Sequence, residues 1–165
     1  MKDSEDKKKE KHFSNLVNFK RQRSDDSIPL VIHIDMNTTS LYIGTTLKKA
    51  PRINEVLFQR IKDEVLGTEY ELDLQFIGKD KARRLNNSFR QKDYATDILS
   101  FPISKTMGEI YIHPDKARKK AKEFGRTFEN YLLFVFIHGL FHLKGFDHGS
   151  RMESEEVRVR TLFNI

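Results

Sequence analysis

The feature that most constrains the fold is a long apolar segment near the C-terminus. Residues 131–137 form the longest uninterrupted apolar run of the chain. With its flanks the run predicts a helix over residues 127–143, and Gly145 follows where such a helix would stop. The run is far shorter than the roughly 20 residues that cross a bilayer. We therefore expect this helix to be buried inside a domain, covered by the other elements.

Alternating and β-branched residues predict the strands that could cover this helix. Four strands are expected, over residues 29–35, 70–77, 98–103 and 109–112. The last two are separated by a short turn around residues 105–108, which predicts an antiparallel hairpin. Residues 37–46 are expected to form a loop with a short extended piece.

Apolar residues at three- and four-residue spacing predict the remaining helices, over residues 51–66, 80–90, 114–123 and 151–162. In the first of these, Pro51 is expected to open the helix and Gly67 to end it. The core-facing positions of that helix are expected to be Ile53, Val56, Leu57, Ile61 and Val65. The order β-α-β-α-β-β-α-α-α predicts an α+β domain with a four-stranded mixed sheet packed against helices.

The N-terminal segment differs in composition from the rest. Residues 1–27 combine many charges with few apolar side chains, so we expect a disordered charged tail, followed by one domain over residues 28–165. A basic arm that contacts RNA through Lys7, Lys8, Lys9 and Lys11 is the alternative. The segment lacks the apolar core of a secretory signal, and its acidic residues argue against an organelle transit peptide. A cytoplasmic protein without a membrane segment is the expectation.

The absence of cysteine from the 165 residues limits the available chemistry. Disulfides and thiolate metal sites are excluded, so any metal must be held by histidine or carboxylate. The 30 Lys and Arg against 24 Asp and Glu give a formal charge of +6, which favours polyanionic partners such as RNA. Solubility alone explains such a charge equally well.

Three histidines stand at a spacing that predicts a metal site. His138 and His142 are four residues apart, so both imidazoles project from one face of the predicted helix. Gly145 permits a left-handed turn that brings His148 back to the same ion. Zinc bound by three protein ligands keeps one tetrahedral position open, which is typical of catalytic sites. Three unrelated histidines are the alternative, and the regular offsets make it the weaker one.

The residues between the histidines qualify this prediction. The spacing matches the zinc-protease motif H-E-x-x-H-x-x-G-x-x-H, except that Gly139 replaces the glutamate. Because that glutamate is the general base, glycine retains the metal site but removes the peptidase machinery. Asp147 precedes the last ligand and is expected to accept a hydrogen bond from a ligand imidazole, or else to be a plain surface or capping residue.

Residues 138–148, HGLFHLKGFDH, resemble the signature of the YbeY endoribonuclease family. A second block agrees with that family, namely Leu85 and Asn86, Phe89 and Arg90, Lys92 and Asp93, Thr96 and Asp97, and residues 99–102. Residues 108–110, Met152 and Glu156 also fit, so the resemblance extends from about residue 29 to the end. The departures are Ala95 for a common proline, Phe89 and Phe146 for usual tyrosines, and Glu109 for a frequent aspartate.

The resemblance implies a function more specific than hydrolysis at a zinc site. It implies one zinc ion per chain and a single-strand-specific endoribonuclease in ribosomal RNA maturation, at the 3′ end of 16S rRNA, and in ribosome quality control. The implied partners are a ribosomal RNA precursor and the small ribosomal subunit or its proteins. The expected catalytic residues are His138, as a ligand, and Arg90, whose guanidinium suits phosphate.

Other polar residues are weaker candidates. Arg83, Arg84 and Lys92 are the nearest supply of positive charge for a groove that binds RNA. Asp93 and Asp97 are further site candidates, although an aspartate before a strand is more often a turn or capping residue.

Two alternatives to the nuclease stay open at this point. One is another zinc hydrolase, such as an atypical peptidase, with Glu109 or Asp147 as a substitute base. The other is a non-enzymatic ribosome assembly factor in which zinc is structural and joins the helix to the loop.

Overall fold

The computed structural model describes residues 40–165, which form nine elements, and from the first helix onward these follow the predicted order. The strands are β1 (Leu41–Thr45), β2 (Glu71–Phe76), β3 (Ile98–Pro102) and β4 (Met107–Ile112). The helices are α1 (Glu55–Leu66), α2 (Lys79–Arg90), α3 (Pro114–Glu123), α4 (Phe128–Leu143) and α5 (Ser150–Phe163). None of the helices in this part of the chain is long and apolar enough to span a membrane.

The four strands form one mixed sheet in the order β1-β2-β4-β3. β2 lies parallel to both of its neighbours, with Leu72 opposite Leu41 on one side and Gly108 on the other. β3 and β4 are the predicted antiparallel hairpin. The predicted α+β class with a four-stranded mixed sheet is confirmed.

Side chains alternate between the two faces of the sheet and define two cores. Ile110 and Ile112 point to the larger core, which also contains residues of α1, α3, α4 and α5. Leu99 and Tyr111 point to the other face, where α2 covers them with Ala82 and Leu85. Helix α4 therefore lies inside the larger core, between the sheet and the outer helices, as its apolar sequence predicts.

Among the described residues, the N-terminal half departs from the predicted elements in two respects, at residues 41–45 and at the start of α1. The predicted strand at 29–35 and the predicted tail at 1–27 lie outside the described residues. Residues 41–45 were expected to be mostly loop but form β1, which pairs with β2. Helix α1 begins at Glu55 rather than Pro51, because the side chain of Asn54 accepts a hydrogen bond from the backbone N–H of Leu57 and caps the helix.

The predicted inner face of α1 also needs correction. Val56 is 67% exposed, whereas Phe58 and Lys62 are buried beside Ile61 and Val65. The ammonium group of Lys62 explains its burial, because it donates to the carbonyl oxygens of Gly67 (3.1 Å) and Tyr70 (3.1 Å) and pairs with Asp63 (2.6 Å). This lysine thereby ties the end of α1 to the start of β2.

Candidate metal centre

The end of α4 sets the geometry of the histidines. Gly145 has φ +91° and its N–H donates to the His142 carbonyl (3.0 Å), while the N–H of Phe146 donates to the Phe141 carbonyl (3.0 Å). This pair of bonds is a Schellman motif, and the rings of Phe141 and Phe146 pack against each other across it. The predicted left-handed turn at Gly145 is confirmed, and it returns the chain toward the helix.

The three imidazoles converge on one point. The Nε2 atom of His138 lies 3.0 Å from that of His142 and 3.3 Å from that of His148. Three nitrogens bound tetrahedrally at about 2.05 Å from one zinc ion are about 3.3 Å apart, so these distances suit a shared ion. No other histidine or acid joins this group among residues 40–165. His148 is exposed, which leaves the centre open to solvent.

The hydrogen bonds of the other ring nitrogens fix which atoms can bind metal. The carbonyl oxygen of Phe146 can only accept, so the Nδ1 atom of His142, 3.1 Å away, carries the proton. The Nδ1 atom of His138 donates to the carboxylate of Glu156 at 2.7 Å. In their neutral forms both histidines therefore direct Nε2 lone pairs at each other. A cation between them removes that repulsion, so the arrangement fits a metal ion.

The protonation state of His142 favours the same conclusion. Its burial, followed by the neighbouring His138, lowers the pKa of His142 below the ordinary value. The nearby charges of His148 and Arg90 act in the same direction. Neutral imidazole is the form that binds metal, so this histidine is prepared for coordination at neutral pH.

Glu156 is the residue that sequence reasoning did not place in the site. It lies on α5, is buried, and joins His138 through Oε1 and Arg160 through Oε2 (3.2 Å). Burial raises the pKa of this carboxyl, but His138 and Arg160 lower it by more, so Glu156 is held as a carboxylate. The signal in the sequence is an acid among the inward positions Met152 and Val159 of α5.

Asp147 does not occupy the position predicted for a supporting carboxylate. It is exposed, and within residues 40–165 it makes no hydrogen bond to any of the three imidazoles. The Nδ1 atoms of His138 and His142 are bound by Glu156 and the Phe146 carbonyl instead.

Gly139 lies where α4 approaches the sheet most closely. A Cβ atom at this position would lie 2.8 Å from both Ile98 Cδ1 and Ser100 Oγ and 3.1 Å from Ile110 Cδ1. The side of α4 that follows His138 therefore faces β3 and β4 rather than the metal centre. A glutamate here would have no room, which gives a physical reason for the departure from the protease motif.

Glu109 on β4, which was considered as a substitute base for a peptidase, lies on the face of the sheet opposite to α4. Glu109 is buried and accepts a hydrogen bond from the Tyr111 hydroxyl at 2.8 Å. Both point away from α4, because the intervening Ile110 packs against α4. Glu109 is thus separated from the histidines by the sheet, and Asp147 points into solvent. Neither acid is placed to act as a base at the metal centre.

The end of α2 brings positive charge to the centre. Arg90 is exposed in the last turn of α2 and lies close enough to His142 for its charge to lower the pKa of that histidine. Gln91 follows in a left-handed conformation (φ 56°), which ends the helix and turns the chain. Arg84 and Lys92 are exposed nearby in sequence. Arg83 is engaged, because it forms a bidentate ion pair with Asp93 (2.7 and 2.6 Å).

Asp97 has a structural position rather than one at the metal centre. Its buried carboxylate accepts hydrogen bonds from the ammonium of Lys120 (3.0 Å) on α3 and the hydroxyl of Tyr131 (2.9 Å) on α4. Burial raises the pKa of this carboxyl, but Lys120 and Tyr131 lower it by more, so the net pKa is below the ordinary value. Asp97 therefore joins β3 to the two helices.

Relatives of known identity share most of the described chain. A protein named Endoribonuclease YbeY from Alkaliphilus metalliredigens is 39% identical over 103 residues, covering 56% of this chain and 66% of that protein. The chain thus spans just under two thirds of that relative. The protein of the same name from Thermotoga maritima is 36% identical over 122 residues, covering 73% of this chain and 77% of its own.

A solved structure and a family profile complete the comparison. The solution structure of TM1509 from Thermotoga maritima aligns with a TM-score of 0.48 and 28% identity, covering 75% of this chain and 89% of that one. The profile described as Endoribonuclease YbeY matches residues 33–162, which include β1 to α4, all but the last residue of α5, and all three histidines. Because this match covers most of the sequence, the chain belongs to the YbeY endoribonuclease family.

Proposed function

We propose that this protein is a zinc-dependent endoribonuclease that cuts single-stranded RNA during maturation of ribosomal RNA, including the 3′ end of 16S rRNA, and in ribosome quality control. Its substrate would be a precursor RNA in the cytoplasm, bound in the context of the small ribosomal subunit or its proteins. Family membership supports the reaction class. The observation that carries the proposal is the convergence of three Nε2 atoms at one solvent-open point.

The metal would be held by His138, His142 and His148. Three imidazoles and no thiolate suit zinc, which accepts nitrogen ligands at about 2.0–2.1 Å in a tetrahedral arrangement. When bound, zinc supplies Lewis acidity and lowers the pKa of water, which is the chemistry needed to hydrolyse a phosphodiester. Glu156 and the Phe146 carbonyl hold two of the rings in the orientation and tautomer that present Nε2.

Arg90 would bind the phosphate that is cleaved. Its guanidinium donates up to five hydrogen bonds and can stabilise negative charge that develops on the phosphate oxygens. Arg84 and Lys92 would extend this positive charge along the RNA backbone. Arg83 would contribute only after leaving Asp93, so we assign it the smallest share.

The experiment pairs metal content with cleavage of a ribosomal RNA precursor. We expect His138→Ala to lose both metal and activity, whereas Arg90→Ala keeps its metal and loses about 100-fold in kcat/KM, as removal of one charge-stabilising donor usually does. Arg52→Ala removes an exposed arginine elsewhere and serves as the matched control. A metal-loaded wild type that leaves RNA intact but degrades casein would contradict the proposal.

The structural-zinc alternative makes a different prediction for the same variants. If the ion only joined α4 to the following turn, His142→Ala would unfold the protein. A catalytic site predicts a folded, inactive variant. Circular dichroism of His142→Ala separates the two without an activity assay.

A further inference from the structure

Helix α3 and the turn after it concentrate positive charge away from the metal centre. Residues 114–126 contain six basic side chains against two acidic ones, Asp115 and Glu123. The basic residues are Lys116, Arg118, Lys119, Lys120, Lys122 and Arg126. Only Lys120 is committed to a buried partner, the carboxylate of Asp97. Arg118 lies 4.1 Å from the centroid of the Phe128 ring, and Arg126 donates to Asn130 at 2.6 Å, so the exposed Lys119 and Lys122 are the members most open to a ligand.

The exposed face of α3 carries these charges side by side. Ala117 and Ala121 are buried against the core, whereas Arg118, Lys119 and Lys122 are exposed, and Lys122 lies four residues after Arg118 and three after Lys119. Like charges at this spacing destabilise a helix by about 0.2–0.5 kcal/mol per pair. Lys119 and Lys122 form no ion pair with any residue in 40–165 that would offset this repulsion. A polyanion is the partner that such a face fits.

An aromatic ring stands beside the charges. Phe124 is 65% exposed, and its ring stacks on that of Tyr131 at the start of α4 with 6.0 Å between centroids. An exposed ring held flat by a buried one is a platform on which an unpaired base can stack. Basic side chains together with such a ring distinguish RNA from an acidic protein as the ligand.

A continuous series of contacts leads from this turn to the metal centre. The guanidinium groups of Arg126 and Arg160 both lie 4.8 Å from the centroid of the Phe134 ring. Arg160 then bonds to Glu156, and Glu156 bonds to His138. Tyr131 and His138 are seven residues apart, two turns of α4, and therefore share one side of the helix.

We propose that the exposed face of α3 and the turn carrying Phe124, called here the basic turn, bind the single-stranded RNA that flanks the cleaved phosphodiester. The proposal rests on the proposed ribonuclease function and adds a second contact region to it. RNA phosphates would lie on Lys119, Lys122 and Arg126, and one base on Phe124.

The length of α4 sets the number of nucleotides between the two regions. Tyr131 and His142 are separated by 11 residues, or about 16 Å along the axis. At about 3.4 Å per nucleotide of a stacked strand, this distance corresponds to about five nucleotides. Only RNAs that extend more than about five nucleotides from the cleaved bond should reach the basic turn.

The test is equilibrium binding of fluorescent oligouridylates of 4 and 20 nucleotides to the full-length, zinc-loaded protein. Phosphorothioate linkages keep the backbone charge and slow cleavage. Lys119→Gln/Lys122→Gln should weaken binding of the 20-mer about 25-fold at 0.1 M salt and reduce the slope of log K against log salt by about 1.4, the value for two lost single-strand phosphate contacts. Phe124→Ala should weaken binding at least fivefold with the slope unchanged, because stacking releases no counterions.

The control is Lys48→Gln/Lys49→Gln, which removes the same charge from the loop after β1. This loop follows the edge strand of the sheet opposite to β3. A Lys119→Gln/Lys122→Gln variant that matches this control in affinity and slope overturns the inference and leaves the basic turn as a surface for an acidic protein. Equal losses for the 4-mer and the 20-mer also overturn it. Since binding is measured without cleavage, an inactive wild type would refute the proposed function alone.

Discussion

The contact between Glu156 and His138 gives the sharpest prediction about the metal centre. The carboxylate accepts a 2.7 Å hydrogen bond from Nδ1 and is buried, so it orients the ring and increases the electron density at Nε2. A hydrogen bond to a charged group contributes about 1.5–3 kcal/mol. Because 1.4 kcal/mol corresponds to a tenfold change in a dissociation constant, loss of this hydrogen bond should weaken metal binding about 10- to 100-fold.

The variant Glu156→Gln keeps the length of the side chain and an acceptor oxygen but removes the charge. We expect it to weaken zinc binding about tenfold, and Glu156→Ala to approach 100-fold, which are the effects usual for groups that support a ligand. The assay is competition with a chromogenic chelator in a zinc buffer. His138→Ala, which removes a ligand, provides the lower limit of affinity.

Glu153→Gln is the matched control, because Glu153 is exposed on the same helix three residues earlier. Its zinc affinity should equal that of the wild type. If Glu156→Ala also equals the wild type while His138→Ala loses the metal, then orientation of the ring through Nδ1 contributes nothing, and the reasoning is refuted.

Three further predictions concern the supporting structure. Gly139→Glu should lower the free energy of unfolding by about 3 kcal/mol through overpacking against the sheet and gain no peptidase activity. Gly139→Ala should lower it by about 1 kcal/mol, because its Cβ already meets Ile98 and Ser100 too closely, and both are measured by urea unfolding. Lys120→Met should move the midpoint of acid unfolding to higher pH. The Asp97 carboxyl has a lower pKa in the folded than in the unfolded protein, so its ionised form stabilises the fold at pH values above the unfolded-state pKa. This stabilisation is lost as the pH falls through the folded-state pKa. Removing the Lys120 ammonium raises the folded-state pKa of Asp97. Lys62→Met should cost about 3 kcal/mol in the same urea assay, because it leaves buried carbonyl groups without donors.

Local signals in the sequence predicted the C-terminal half well. Helix α3 has its predicted bounds, Pro114–Glu123, because proline suits the first turn and Gly125 follows the end. The spacing of the histidines and the turn at Gly145 likewise depend on residues within eleven positions of one another. Such features are fixed by backbone geometry that the neighbouring residues determine.

Features that depend on packing between distant segments could not be predicted in this way. Glu156 meets His138 only because α5 docks on α4, and the sequence gives the acid but not its partner. Asp97 gains its partners from α3 and α4. Pro51 resembled a helix start, yet Asn54, three residues later, supplies the cap. For Glu156 and Asp97 the decisive interaction joins groups on different elements, which a local pattern cannot pair. The Asn54 cap is a local bond to Leu57, but two start signals three residues apart could not be ranked from the sequence.

The distribution of the ligands along the chain bears on what the metal does. All three histidines lie within residues 138–148, so an ion there closes only a short loop that the Schellman turn already shapes. Closing a short, preformed loop removes little chain entropy, so the ion contributes little to global folding. Helix α4 is held by the apolar core, which contains none of the three histidines. The fold therefore builds this centre without needing the ion for its own stability, and it leaves the centre open to solvent at His148. Both features are typical of a metal site that serves a substrate.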